Sequence, residues 1–446
     1  MSLQTRHSAY IDVREDRILL TFLTSFAYFC SYMTRINYKA VMAAIMAEEA
    51  CGKEAVSVPL TGLFIVYGLG QLVSGWLGDR INPKYLMCGG LALAAAMNIL
   101  LPFCSASIPL MTVVWCVNGF GQAMMWPPIV KTLTDFLSPE DYLHASVKVS
   151  WGSVAATILL YLGCPGMLSL TGWKPVFIVC AAIGLAGAVF VYAVLTGLEK
   201  KYPEAGKLPA VSAQHGKDGS AAETAVPLPK MPRRIYGFFA ILLLGIILQG
   251  MLRDGVDSWM PSYISDTFDL GTSVSILTGV ILPVFTIVSY TVATWIYEKW
   301  LKNEMTAASV FYILSGVCSG LLLLLRVLFP GADGFGIVTV LTILLFALIV
   351  GSMHGINLIF TCFVPRRFRK YGNISWVSGL TNFATYVGSA VSTYGFAVIT
   401  QKLSWNWTIV VWVLISAAGV AVCYAGLIPW RRFLRRECAE NTKNTQ

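Results

Sequence analysis

Long apolar runs, separated by short polar breaks, recur from one end of the chain to the other. A helical crossing of a bilayer core needs about 20 mostly apolar residues. Twelve segments meet that need, at about 18–46, 58–78, 85–104, 108–136, 144–168, 174–196, 236–263, 272–297, 306–328, 336–363, 374–401 and 407–429. Several exceed the minimum and hold Gly or Pro, as tilted or bent spans do. Backbone inside hydrocarbon must satisfy its own hydrogen bonds, so the pattern predicts helices and not open strands. The rhythm breaks at length only once, at residues 197–235, where EKKYPEAGKLPAVSAQHGKDGSAAETAVPLPKMPRR is polar and rich in Pro, Gly, Ala and charge. It reads as a flexible linker. Six runs precede it and six follow. The expected architecture is an all-α membrane protein of twelve transmembrane helices in two pseudo-symmetric six-helix bundles, residues 1–196 and 236–430. A cytoplasmic linker joins them at 197–235, and a cytoplasmic tail follows at 431–446.

Composition agrees. The 446 residues are 56% hydrophobic and 12% charged, against roughly a quarter charged in a soluble domain. The net charge of +9 raises nucleic acid as a partner, but its placement answers otherwise. Arg80, Lys84, the linker, Lys299, Lys302, the run 365–372 and the tail 430–438 all fall on one side. The opposite loops hold only a few basic residues, such as Lys53, Lys174 and Lys402. The positive-inside rule then puts both termini in the cytoplasm, in a multi-pass protein of the cell's inner membrane. The basic runs read as topology and lipid-headgroup contact, with no nucleic-acid partner. The polar N-terminus leads straight into a full span and is not expected to be a cleaved leader. Most of the eleven Cys sit in apolar runs as small packing residues,. Only Cys51 stands in an expected external loop. There is no metal-ligand cluster, nucleotide cradle or catalytic-triad spacing, so neither an enzyme nor a cofactor is expected.

The informative residues are charges at membrane depth, which cost several kcal/mol there and mark function or pairing. In AYFCSYMTRINYKAVM (27–42), Arg35 and Lys39 share a helix face, four residues apart,. Tyr28 and Tyr32 precede Arg35 by seven and three positions and can join it. Two cations on one face need an anion or a carboxylate nearby. GMLRDGVDSWMPSY (250–263) carries Arg253, Asp254 and Asp257. Arg253 is either ion-paired with Asp254 or Asp257, or an arm for substrate. The first and seventh spans open their respective halves, so an Arg on each makes a two-armed clamp. Guanidinium forks grip phosphate or carboxylate in bidentate fashion.

These segments are similar to known sequences. The loop GWLGDRINPKYL (75–86) resembles the major facilitator signature G-x-L-x-D-R-x-x-x-K, with Gly75, Leu77, Asp79, Arg80 and Lys84 in its positions. Its charges, Asp79, Arg80 and Lys84, can form a cytoplasmic conformational clasp. The equivalent loop YEKWLKNE keeps charge but not the pattern. Tyr28, Tyr32, Arg35 and Asn37 match the Y-x-x-x-Y-x-x-R-x-N pattern of the organophosphate:phosphate antiporters of the major facilitator superfamily. Leu252, Arg253, Gly255, Trp259, Pro261 and Tyr263 match that family's L-R-x-G-x-x-x-W-x-P-x-Y. MWPPIVKTL (125–133) and IVYGLGQLVSG (65–75) resemble two further segments. The resemblance covers nearly the whole chain and implies the major facilitator fold, with Arg35 and Arg253 as the phosphate-gripping pair.

Departures stand beside it. Gln71 holds the family's lysine position and Gly152 its histidine position. Lys148, one turn before Gly152, either faces the cavity with Lys39 or snorkels to the cytoplasmic end. His354 either titrates and contacts substrate or packs. Tyr67, Trp126 and Tyr386, with Tyr290, Trp376, Asn382 and Ser389, offer further polar tips. Trp126, Pro127 and Pro128 also read as a bend.

The expected function is alternating-access transport, by a monomer, of a small anionic organic solute. Most in keeping with the resemblance is a phosphorylated metabolite exchanged for inorganic phosphate. Two alternatives stay open. One is a proton- or sodium-coupled symporter of organic carboxylates such as sugar acids, and the other is a membrane sensor of sugar phosphates.

Overall fold

The computed structural model describes residues 10–78, 80–203, 235–301, 303–330, 334, 336–364 and 374–443. Among these the regular elements are all helical. They are α1 (Arg14–Glu48), α2 (Lys53–Gly78), α3 (Pro83–Leu100), α4 (Ile108–Ala123), α5 (Trp126–Phe136), α6 (Pro139–Thr171), α7 (Lys174–Lys201), α8 (Ile235–Phe268), α9 (Thr272–Thr278), α10 (Ile281–Lys299), α11 (Glu304–Leu328), α12 (Ile337–Leu358), α13 (Ile374–Lys402) and α14 (Trp405–Lys443). A 3-10 turn continues α3 over Leu101–Cys104, and a π-turn continues α12 over Ile359–Phe363. Ten segments among the described residues are long and apolar enough to cross a membrane. The other two of the expected twelve are α1 and α13. They are long enough, but α1 carries Arg35 and Lys39, and α13 is dense in Ser, Thr, Gly and Tyr.

Three boundaries differ from the sequence expectation. The fourth run is two helices, α4 and α5, broken at Met124–Met125. Pro127 and Pro128 lack the N–H groups that a continuous helix would need there, and both suit a first turn. The eighth run is likewise α9 and α10, broken at Gly279–Val280. Pro283 in the first turn of α10 gives the same reason. Residues 431–443, expected as a tail, continue α14 as helix. The linker expected at 197–235 lies outside the described residues from 204 to 234, and so does the basic run at 365–373.

The packing repeats in the two halves of the chain. α1 packs on α6, α2 on α4 and α3 on α7. In the same order α8 packs on α13, α10 on α12 and α11 on α14. The first of these contacts is closest in both halves. A methyl group at Gly152 of α6 would stand 2.2 Å from the Ser25 carbonyl oxygen of α1, and one at Gly388 of α13 would stand 2.1 Å from that of Ile247 in α8. Small residues let helix backbones meet in lipid, where apolar burial alone drives little association. The periphery is apolar and exposed, as at Phe103, Leu170, Val189 and Ile337.

The halves meet where α2 packs on α13 and, less extensively, where α6 packs on α9. At the end away from the termini, polar links close the seam. Lys53 Nζ lies 2.7 Å from Asp266 Oδ2, Tyr394 donates to Glu54 Oε1 at 2.7 Å, and the Glu54 N–H donates to Gln401 Oε1 at 2.8 Å. At the end carrying the termini, no ion pair among the described residues joins the halves.

Candidate functional site

α1 holds Arg35 at the seam because the residues beside it are fastened by amides. The Thr34 carbonyl accepts from Asn98 Nδ2 of α3 at 2.8 Å and from Asn118 Nδ2 of α4 at 3.1 Å. Asn37 Nδ2 donates to Asn98 Oδ1 at 2.6 Å. Gln122 Nε2 donates to Thr34 Oγ1 at 2.8 Å, and Ser31 donates to Gln122 Oε1 at 2.5 Å. Each bond is made where no water competes, so the network fixes the rotation of α1 about its axis. Arg35, one residue on, then has its guanidinium carbon 4.2 Å from the Tyr32 ring centroid and 5.0 Å from that of Tyr67. It is 9% exposed. Ring contacts of this kind contribute about 0.5–2 kcal/mol, less than burying the charge costs. Among the described residues Arg35 has no carboxylate partner.

Arg253 of α8 is also buried, at 8% exposure, but it is paired. Its Nε donates to Asp254 Oδ1 at 2.9 Å and its Nη2 to Asp254 Oδ2 at 2.7 Å. Ser389 of α13 donates to the same Oδ2 at 2.5 Å. Asp257, the sequence-level candidate one turn away, instead pairs with Lys39 of α1, across the seam. Between the two arginines stand two tyrosines. Tyr67 and Tyr386 meet with ring centroids 4.5 Å apart, edge to face, and the Tyr386 ring lies 5.7 Å from the Arg253 guanidinium carbon.

Several other predicted residues join this cluster. Tyr28 donates to the Tyr32 hydroxyl at 3.4 Å, and its ring lies 5.4 Å from Trp126. His354 Nδ1 lies 3.3 Å from the Tyr290 hydroxyl, within electrostatic range of Arg253, Asp254 and Lys39. Gln71 is buried, and its Nε2 has no hydrogen-bond partner among the described residues. Unpartnered buried donors are uncommon and call for an explanation.

Other predicted residues are not brought in. Lys148 is exposed on α6 and makes no ion pair among the described residues. Gly152, one turn on, is pressed against α1. For the same reason Gly152 leaves no room for a histidine at this helix separation. Among the described residues, Arg80 and Lys84 of the expected clasp make no ion pair to the other half. Lys84 pairs with Glu199 Oε2 of α7 at 2.5 Å. Arg80 folds back on Trp76, 3.9 Å from its ring centroid. Asp79 lies outside the described residues, as does the side chain of Trp376. A groove of about 400 Å³ lined by Glu48, Leu168 and Ser273 opens at the far end, away from these charges.

Sequence reasoning missed the amide network and the Tyr67–Tyr386 contact. The first had a signal, since Asn98, Asn118 and Gln122 lie in apolar runs and need partners there. The second had none, because it depends on how the halves meet.

The sequence model of the Major Facilitator Superfamily matches residues 24–393. The chain is 23% identical over 422 residues to the glycerol-3-phosphate transporter of Bacillus subtilis (strain 168), covering 91% of this chain and 90% of that protein. It is 24% identical over 421 residues to a protein of Chlamydia trachomatis serovar D described as a "probable hexose phosphate transport protein", covering 87% and 86%. In fold it is similar to the crystal structure of a bacterial homologue of the human lysosomal transporter Spinster, inward-facing and unoccupied. That match has a TM-score of 0.70 and 12% identity, over 94% of this chain and 99% of that one.

Proposed function

The chain belongs to the major facilitator superfamily, and on that premise we propose that it is a secondary active transporter of a small organic anion. The solute is a phosphorylated metabolite, exchanged for inorganic phosphate by alternating access. The observation that carries this is Arg35, a buried cation with no carboxylate partner among the described residues, held by tyrosine rings at the seam and facing Arg253 across Tyr67 and Tyr386. The names of the two relatives, both phosphate-ester transporters, support the solute class.

The anion sits against Arg35, with the hydroxyls of Tyr32 and Tyr67 and the spare Nη1 of Arg253 as further donors. Gln71 Nε2 supplies a neutral donor where the family's pattern carries a lysine. The bundles of residues 1–196 and 236–430 rock about the α2–α13 contact. The polar closure at the far end, with no cross-half ion pair among the described residues at the other, supports an inward-facing state, with both termini cytoplasmic in the inner membrane. An empty site buries the Arg35 charge uncompensated, which is prohibitive in a closed state. Loaded carriers therefore cross and empty ones do not, and the result is exchange. The unit is a monomer, since both arms come from one chain.

The test is counterflow in proteoliposomes loaded with inorganic phosphate, offered labelled phosphate and a panel of phosphate esters and carboxylates. Exchange should be rapid in the wild type and lost in Arg35→Lys, which keeps charge but not the fork. Carboxylate uptake that follows an imposed proton gradient, with no phosphate exchange, would reject the reading for a symporter. Binding without turnover would reject it for a sensor.

A further inference from the structure

We infer that Asp254 sets the charge of the solute, so that the site takes an oxyanion with one net negative charge in preference to a dianion. This rests on the anion site proposed between Arg35 and Arg253. The charge count carries it. Among the described residues three cations meet at the seam, Arg35, Lys39 and Arg253, with two carboxylates, Asp254 and Asp257. Both carboxylates are committed. Asp257 pairs with Lys39. Asp254 takes Nε and Nη2 of Arg253 at 2.9 and 2.7 Å and the Ser389 hydroxyl at 2.5 Å. One positive charge is left over, on Arg35.

The facing groups on the other packed elements do not change the sum. Tyr67 and Gln71 on α2, Tyr290 on α10 and Tyr386 on α13 are neutral. His354 on α12, beside the Tyr290 hydroxyl, is counted as a neutral imidazole. A monoanion on Arg35 therefore brings the occluded site to zero. A dianion leaves one uncompensated charge in a medium of low dielectric, where such a charge is strongly disfavoured. The geometry agrees. The Nε–Nη2 edge of Arg253 is filled by the Asp254 carboxylate, so an incoming oxyanion meets one open fork and not two.

The test uses probes whose charge is fixed. Purified full-length protein in phosphate-loaded vesicles is assayed for counterflow of labelled phosphate at pH 8, where the imidazole is neutral. Methyl sulfate, a monoanion, and sulfate, a dianion, compete. In the wild type, methyl sulfate should inhibit at a concentration about a hundredfold or more below that of sulfate, the scale set by one unbalanced buried charge. Asp254→Asn leaves two spare positive charges, and the order should invert. The double variant Arg253→Gln with Asp254→Asn returns the count to one, and the order should revert. Sulfate as the better inhibitor of the wild type, or an order unchanged by Asp254→Asn, overturns the assignment. If Asp254→Asn fails to fold because Arg253 is stranded, the wild type and the double variant decide. Wild-type protein without phosphate counterflow overturns the anion-exchange reading and this inference with it. Counterflow indifferent to inhibitor charge overturns this inference alone.

Discussion

Asp257→Asn should destabilise the protein sharply, and Lys39→Met should do the same, while the two replaced together by Met and Leu should not. Lys39 and Asp257 are 11% and 16% exposed at their side chains and pair with each other. Neither has another carboxylate or ammonium within ion-pair distance among the described residues. Removing one partner of such a pair strands the other and costs about 3–5 kcal/mol, whereas replacing both with apolar groups of similar volume is often neutral or stabilising. The coupling between the two positions should therefore be several kcal/mol, far beyond the ~0.5 kcal/mol within which independent sites add. The thirteen Trp give an intrinsic fluorescence signal for thermal unfolding in detergent. The four melting temperatures close a double-mutant cycle. The reasoning is refuted if Asp257→Asn melts with the wild type, or if the Met/Leu pair loses as much as the two single changes added together.

Gly152→Ala should lower the melting temperature by an amount equivalent to about 1–3 kcal/mol of overpacking, because its methyl meets the Ser25 carbonyl. Gly163→Ala, with open space around it, should not. Gln71→Leu removes a buried donor with no partner among the described residues, so it should leave stability unchanged or raise it by about 1 kcal/mol. It should also weaken phosphate competition in counterflow, and loss of stability without loss of competition would count against a role at the site. Asp141, beyond the membrane end of α6, is held below the ordinary carboxylate range by the Ser138 hydroxyl and then by Arg17. A depressed carboxylate stabilises above its unfolded value, about 4, and that contribution fades as pH falls through the lower folded value. Asp141→Asn should therefore cost a little melting temperature near neutral pH and less towards pH 3, small because the pair is exposed. A gap that widens in acid contradicts the sign.

Much of this molecule was legible in its sequence because hydrocarbon is an unforgiving solvent. Apolar length gave the spans, and the doubled proline after Trp126 gave the break in the fourth. The rarity of charge at depth singled out Arg35, Lys39, Arg253 and the aspartates, which the structure brings to one seam. The partners of those charges were less legible. Helical spacing favours Arg253 with Asp257, four residues on. The long guanidinium instead folds onto its neighbour Asp254, which Ser389 steadies from α13. Asp257 is taken by a lysine from the other half. Lys148 was ambiguous for a different reason. In a span apolar all round, lipid and protein make the same demand on a side chain, so periodicity does not say which face is which.

The Lys39–Asp257 pair also sets a problem of timing. Its members are 218 residues apart in sequence. At synthesis rates of about 5–20 residues per second, the first span waits on the order of ten to forty seconds for its counter-ion to be made. Arg35 waits far less, since its tyrosine shelter is complete once Tyr67 emerges. During biogenesis Lys39 therefore needs temporary hospitality, from water, from headgroups or from the insertion machinery. The seventh span, on arrival, completes the first half as well as beginning the second.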